Sequence, residues 1–465
     1  MNVDGLFEVI AEIGNNLLFF NVSPFKQFPL PFLIFWLIGG SVYVAFKLKF
    51  FNFFALPKAI WLFITEKSKV ADNNTASSKT IVISSIAGAT DLGSIFGVAT
   101  IVATGGAGTI FWMIVAGIIS TSLRFVEVLC GHFFRRRQYS NGKFIGFIGG
   151  PQVYINRIFK IYKMPQMGLW VAKIYAFNVA ISTFCSLQVN QTVHIITHLT
   201  PFLKNYNWII SLFVATFIIS LVIGGFSRIA KFNLKIVPIM VVMYLFITAY
   251  ILFANASNII PSLHLIINDA LSFRAINSSI SAMIILGAQR AFFCNESGMG
   301  SGAIIHANSS NENSIKEAII SMITPIVSVL VVCSCSGLIV LTTGVYNSVS
   351  STSSGVEFIL MAFTTVNENM KYFVLLIVPL FAITTAVSWA YYGSRSWMSL
   401  FGLRYVPVYY LILFISYYLC GLVDNFQTIL DVADVLNLSI SIPNIIALVM
   451  FIKIARRFKK LKKLS

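Results

Sequence analysis

Apolar residues in this chain come in long runs rather than in the short periodic stretches of a soluble protein. Runs near the ~20 residues that a helix needs to cross a bilayer are read at about 31–47, 80–103, 108–131, 168–197, 207–226, 234–254, 279–305, 315–343, 370–393, 405–422 and 434–454. The pattern predicts an all-α polytopic membrane protein with about eleven transmembrane helices. Between runs, Leu48 to Lys79 is aromatic and then polar, as expected of an interfacial helix. The connection from His132 to Pro165 carries the turn signal Gly149-Gly-Pro151.

Two runs are interrupted. Ala87-Gly-Ala-Thr-Asp-Leu-Gly-Ser-Ile-Phe-Gly-Val-Ala99 sets three glycines, Thr90, Ser94 and the acid Asp91 among apolar residues, and Phe293-Cys-Asn-Glu-Ser-Gly-Met-Gly-Ser-Gly302 does the same. A carboxylate at that depth costs several kcal/mol and glycine weakens a helix, so stability is given up for something else. For Gly93 and Gly97 alone, close approach of a neighbouring helix is an equal alternative. With the first run set aside, ten remain as five plus five, and the interruptions occupy corresponding positions. That is the sequence pattern of a secondary transporter with inverted repeats. The expected organisation is an N-terminal segment 1–79 with the extra helix, a first repeat 80–254, a second repeat 255–455 and a basic tail 456–465. A helix broken at mid-membrane frees N–H and C=O groups that lipid cannot satisfy but a ligand can.

Composition agrees and excludes other classes. The chain is 57% hydrophobic and 11% charged, where a soluble domain carries roughly a quarter charged residues. A net charge of +17 in a soluble protein would point to nucleic acid. Here twenty-six Lys and Arg fall in connections on one side of the eleven spans, or in the tail, and only four on the other. This positive-inside bias predicts the N-terminus outside and the C-terminus in the cytoplasm, with no nucleic-acid partner. It also predicts that the tail from Lys453 to Lys463 lies on anionic membrane lipid, and the expected location is the cytoplasmic (inner) membrane. Residues 1–30 have Asp4, Glu8 and Glu12 where a secretory signal has a basic region, so the first apolar helix is expected to be retained. The six cysteines sit in or beside apolar runs, which argues against a disulfide framework or a zinc site. His194, His198 and His306 lack ligand spacing and read as interfacial. No nucleophile–base set points to an enzyme.

The motifs Gly97-Val-Ala-Thr100, Gly105-Gly-Ala-Gly108, Phe111-Trp-Met113 and Gly149-Gly-Pro-Gln-Val-Tyr-Ile155 occur in order with Val222-Ile-Gly-Gly-Phe-Ser-Arg-Ile-Ala230 and Val237-Pro-Ile-Met240. They are followed by Asn295-Glu-Ser-Gly-Met-Gly-Ser301, Phe381-Ala-Ile-Thr-Thr385, Trp389-Ala-Tyr-Tyr-Gly393 and Ile442-Pro-Asn444. Together they resemble the alanine/glycine:cation symporter family of amino-acid carriers. The resemblance implies a LeuT-type fold and Na⁺-coupled symport of a small neutral amino acid, alanine or glycine, with H⁺ as the other possible coupling ion. It also implies a Na⁺ site in which hydroxyls of Thr384 and Thr385 meet carbonyls near Ala87 and Thr90. Where the family usually has Gly-Thr-Gly-Asn, this sequence has Asp91-Leu-Gly-Ser94, which turns an amide into a hydroxyl and a glycine into an acid.

The candidate substrate-binding residues are therefore Asp91, Gly93, Ser94, Gln188, Phe293, Asn295, Ser297, Gly298 and Trp389. Asp91 could neutralise a substrate ammonium, join a cation site or carry a coupled proton; an internal pair with Arg290 is the alternative. Gln188 and Asn190 equally suit interhelical hydrogen bonding. Glu296 is expected to stabilise the second break rather than touch cargo. Two alternatives stand beside alanine symport: a proton-coupled carrier of an amine or cationic amino acid that uses Asp91, and a non-transporting sensor or decayed transporter on the same fold. Oligomeric state is not encoded in any of these patterns.

Overall fold

The computed structural model describes residues 3–23, 30–71, 75–140, 142–271, 279–347, 355–424 and 426–455. The basic tail 456–465, Lys26 and Arg274 lie outside the described residues. The apolar runs form helices. Among the described residues seven helices are long and apolar enough to cross a membrane, or up to nine if each of two sharply bent pairs is one crossing. The polytopic all-helical reading holds. Eleven crossings would also require the apolar helices Asn207–Ile223 and Ser279–Asn295, each of 17 residues.

The bent pairs are Phe32–Lys47 with Phe51–Thr65, at 86°, and Ser78–Ala89 with the segment Leu92–Gly105, at 68°. At the first bend Lys49 and Phe50 take positive φ, which turns the aromatic helix Phe51–Thr65 sharply away from the preceding one. The second bend is the interruption at Asp91.

Gly108–Phe133 packs against the second interrupted helix, and Met370–Phe401 against the first. Their approach is close. A Cβ on Gly287 would lie 2.7 Å from Thr109 O and 2.8 Å from Met113 N, and one on Gly131 would lie 2.8 Å from Ala303 Cα. Outward faces stay apolar and exposed, with Phe246 72% and Phe253 83% accessible, the surface that lipid requires of such helices.

Several elements were not expected. The 132–165 connection folds as an antiparallel hairpin, Arg136–Ser140 against Lys143–Ile148, followed by a helix Pro151–Ile161. Gly150, at φ 103°, makes the turn that Gly149-Gly-Pro151 announced, and Pro151 opens the helix. The Leu48–Lys79 segment adds a short strand pair, Val70–Ala71 with Thr75–Ala76, to its helix. Val3–Leu18 is a helix that packs on Phe426–Ser439. His306 is fully buried rather than interfacial, because its Nδ1 meets Glu317 Oε1 at 2.6 Å.

Candidate functional site

At the first break, Ser78–Ala89 ends and Thr90 turns its hydroxyl back onto Ile86 O. Asp91 then caps a single 3-10 turn, Leu92–Ser94, its Oδ1 accepting from Ser94 N at 3.0 Å and from Ser94 Oγ at 3.2 Å. An acid suits this position, since the first N–H groups of a helical segment lack intrahelical partners and carry partial positive charge. Gly93 permits the turn, for a Cβ there would lie 3.0 Å from Asp91 Oδ2 and 3.1 Å from Phe293 Cε1.

At the second break, Ser279–Asn295 stops and Ser301–His306 starts afresh, with Glu296, Gly298 and Gly300 all at positive φ. Its freed groups are taken up within the protein. Glu127 Oε2 accepts from Gly298 N at 2.9 Å, and Glu127 Oε1 from Ala303 N at 3.3 Å. Asn444 donates to Gly298 O at 2.8 Å, and Tyr175 to Met299 O at 2.9 Å. Asn295 accepts from Ser297 N at 2.8 Å and donates to Ser120 Oγ at 2.7 Å. Glu127 is itself paired with Arg124, one turn earlier and equally buried, 3.4 Å away. Arg124 reaches across to Ser85 Oγ on the first broken helix, so one ion pair braces both breaks.

A third interruption converges on the same place. Pro165–Ser182 and Leu187–Leu199 are separate helices, and Ser186 caps the second by accepting from Val189 N at 3.3 Å. Ser182, Thr183, Cys185 and Gln188 from this break share a narrow cavity with Gly88 and Asp91 of the first break and with Phe293, Glu296 and Met299 of the second. Trp389, Tyr417 and Asn437 complete the lining, and the free space admits about one water-sized sphere.

Of the sequence candidates, the structure thus brings Asp91, Gln188, Phe293 and Trp389 to one cavity. Ser94 sits just behind Asp91, its carbonyl held by Ser336 Oγ at 2.9 Å. Asn295, Ser297 and Gly298 lie outside the lining, with the Asn295 side chain and the backbone N–H groups of Ser297 and Gly298 serving the second break as described above. Glu296 both supports that break, accepting from Ser301 Oγ at 2.6 Å, and faces the cavity. Asn190 is bound to Cys420 O at 3.0 Å and Val423 O at 2.7 Å, an interhelical role. Arg290 approaches Asp434 at 4.0 Å and lies over the Phe293 ring at 5.2 Å. A Cβ on Gly97 would lie 2.7 Å from the Arg290 guanidinium carbon, so this glycine makes room for an arginine.

The two threonines divide. Thr385 Oγ1 donates to Ala87 O at 2.8 Å and lies 3.3 Å from Thr90 O. Those three oxygens converge at the first break, and hard oxygens of this kind suit an alkali cation. Thr384 Oγ1 instead returns to its own helix, 2.9 Å from Leu380 O and 3.0 Å from Phe381 O, with Met240 Sδ at 3.6 Å. The carbonyls of its own preceding turn satisfy this hydroxyl, so it is turned away from Ala87 and Thr90.

Sequence comparison extends over most of this architecture. A transporter described as uncharacterized from Haemophilus influenzae is 29% identical over 429 residues, covering 90% of each chain. The sodium/alanine symporter AgcS of Methanococcus maripaludis is 26% identical over 424 residues, covering 90% of this chain and 91% of its own. The amino-acid carrier protein AlsT of Bacillus subtilis is 25% identical over 452 residues, covering 94% and 90%. Residues 19–463 match the sodium:alanine symporter family, so both broken helices and the cavity fall within the match, and the chain belongs to that transporter family.

Proposed function

We propose that the protein carries a small neutral amino acid, alanine or glycine, into the cell by alternating access, driven by Na⁺. The observation that carries this reading is the Thr385 hydroxyl within 2.8 Å of Ala87 O and 3.3 Å of Thr90 O, at a mid-helix break beside a narrow polar cavity. In the bound state the two carbonyls and the hydroxyl oxygen face Na⁺, while Asp91, Gln188, Phe293 and Trp389 surround the cargo. The architecture we assign is one N-terminal segment, 1–79, followed by inverted repeats 80–254 and 255–455 in a LeuT-type arrangement of eleven crossings. The N-terminus is outside and the C-terminus is in the cytoplasm, in the inner membrane.

A second reading is favoured by Asp91. Its carboxylate already occupies the start of the half-helix, on Ser94 N at 3.0 Å, where an amino acid's own carboxylate would otherwise dock. A cargo without a carboxylate, an amine, or a proton as coupling ion fits that geometry.

Uptake of labelled alanine into proteoliposomes separates these readings when an imposed Na⁺ gradient is compared with an imposed pH gradient, in wild type and in Asp91→Gly. Uptake driven by Na⁺ supports symport of a neutral amino acid. Uptake driven only by protons and lost in the variant supports the second reading. Absence of any uptake of amino acid or amine overturns both in favour of a sensor or decayed carrier.

A further inference from the structure

Beyond the cavity at the breaks lies a second, wider one of about 120 Å³, many times the ~10–15 Å³ that one water needs. Among its walls are Asn308, Tyr391, Ser394, Arg395 and Tyr410, with Ile145 of the hairpin above them. The two cavities are arranged along one helix, Met370–Phe401, for Trp389 lines the first and Arg395 the second. Six residues separate these side chains, about 9 Å of helix rise.

Between Trp389 and Arg395 this helix carries two adjacent tyrosines. Tyr391 and Tyr392 have ring centroids 6.4 Å apart. Tyr392 closes on the first break, its hydroxyl 2.7 Å from where a Cβ of Gly88 would sit. Tyr391 accepts from Asn308 Nδ2 at 2.8 Å on the other side.

Arg395 is the unusual wall. Its Nη2 donates to Phe147 O at 2.7 Å and to Gln138 Oε1 at 3.1 Å, both neutral, and its Nη1 reaches only Met398 Sδ at 4.0 Å. Among the described residues no carboxylate pairs with it. A guanidinium presents a planar fork matched to a carboxylate; here it also lies over the Tyr391 ring at 6.0 Å, and among the described residues its Nη1 has no oxygen partner beside a cavity of mixed polar and apolar lining.

We propose that this second cavity is a carboxylate-binding station for the transported amino acid, anchored by Arg395 and separated from the first cavity by Tyr391 and Tyr392. The assignment rests on the transport reading above for the identity of the cargo, but the station itself is defined by Arg395. Cargo that passes the tyrosines exchanges the environment of Asp91 for a cationic one, so its carboxylate leads and is held loosely before release.

The experiment measures equilibrium binding of labelled alanine and of labelled propionate to the purified full chain in detergent. Wild type is compared with Arg395→Gln, Arg395→Lys and Ile145→Trp. Gln can still donate to the hairpin, and Trp fills the cavity without touching the charge. Propionate is expected to bind once per chain, to weaken about tenfold or more in Arg395→Gln, to recover in Arg395→Lys and to be excluded by Ile145→Trp. Alanine is expected to bind twice per chain in wild type and once in Arg395→Gln. Propionate binding that is absent, or indifferent to Arg395→Gln, overturns the station and leaves Na⁺-driven uptake standing. Displacement of propionate by an equal concentration of chloride also overturns it, making the cavity a halide site. Arg395-dependent propionate binding with no alanine binding keeps the station and sinks the alanine reading.

Discussion

The Glu127 carboxylate accepts from the Gly298 backbone N–H at 2.9 Å, across 171 residues of sequence. A donor freed by the second helix break is thereby satisfied by the protein itself. The first break differs, because its carbonyls at Ala87 and Thr90 share one hydroxyl, from Thr385. Of two breaks that look alike in sequence, the second has its freed groups taken up by buried side chains, while the first gathers two backbone carbonyls around one hydroxyl.

The brace makes a stability prediction. Arg124→Met leaves the Glu127 carboxylate buried without its cation, and loss of one partner from a buried pair costs about 3–5 kcal/mol. Adding Glu127→Gln removes the stranded charge while keeping an oxygen for Gly298 N. The double variant is therefore expected to unfold at a higher temperature than Arg124→Met alone, by thermal unfolding in detergent. A double variant less stable than the single would show that the carboxylate's charge itself holds the break.

The threonines separate by position. Thr385→Val strips the shared donor from two buried carbonyls, a loss of about 1–3 kcal/mol, and is expected to raise the Na⁺ concentration for half-maximal uptake. Thr384→Val removes a hydroxyl that only returns to Leu380 O and Phe381 O, which already serve their own helix. Its Na⁺ dependence should stay at the wild-type value. Equal shifts in both variants would place the cation somewhere other than Ala87 and Thr90.

How far the sequence could be read follows from what each feature signals locally. The first two breaks were legible because glycine and acid stand out in apolar runs. The third was not: Ser182-Thr-Phe-Cys-Ser186 has no glycine, and Phe184 and Cys185 keep the run apolar, yet it supplies Ser182, Thr183 and Cys185 to the cavity. Arg124 and Glu127 are visibly one turn apart, but the groups they hold, Ser85, Gly298 and Ala303, are remote in sequence. The hairpin at 136–148 was hidden by reading a polar stretch between spans as a loop, although Tyr139, Phe144 and Phe147 form an aromatic cluster on it.

Glycines offer a paired control. A methyl at Gly287 would press on backbone atoms of Gly108–Phe133 at 2.7 and 2.8 Å, whereas a methyl at Gly39 meets nothing within 4 Å. Gly287→Ala must push the two helices apart and is expected to lose about 1–3 kcal/mol. Gly39→Ala is expected to be neutral or to gain up to ~1 kcal/mol from helix propensity. Thermal unfolding of the two variants side by side checks the contrast, and a neutral Gly287→Ala would refute the backbone-distance packing of those helices.

Asp91 has two roles that one substitution can divide. Its Oδ1 caps the turn at Leu92–Ser94, and its charge faces the cavity. Asn caps a helix start about as well as Asp, so Asp91→Asn keeps the break and removes only the charge. Stability should stay within ~1 kcal/mol of wild type, while Asp91→Ala loses the cap and falls by about 1 kcal/mol. If the carboxylate pairs with the cargo ammonium, Asp91→Asn raises the KM for uptake about tenfold or more, the worth of a hydrogen bond to a charged group. Uptake kinetics and unfolding on the same preparations read both roles. An unchanged KM in a stable Asp91→Asn would confine this residue to holding the turn.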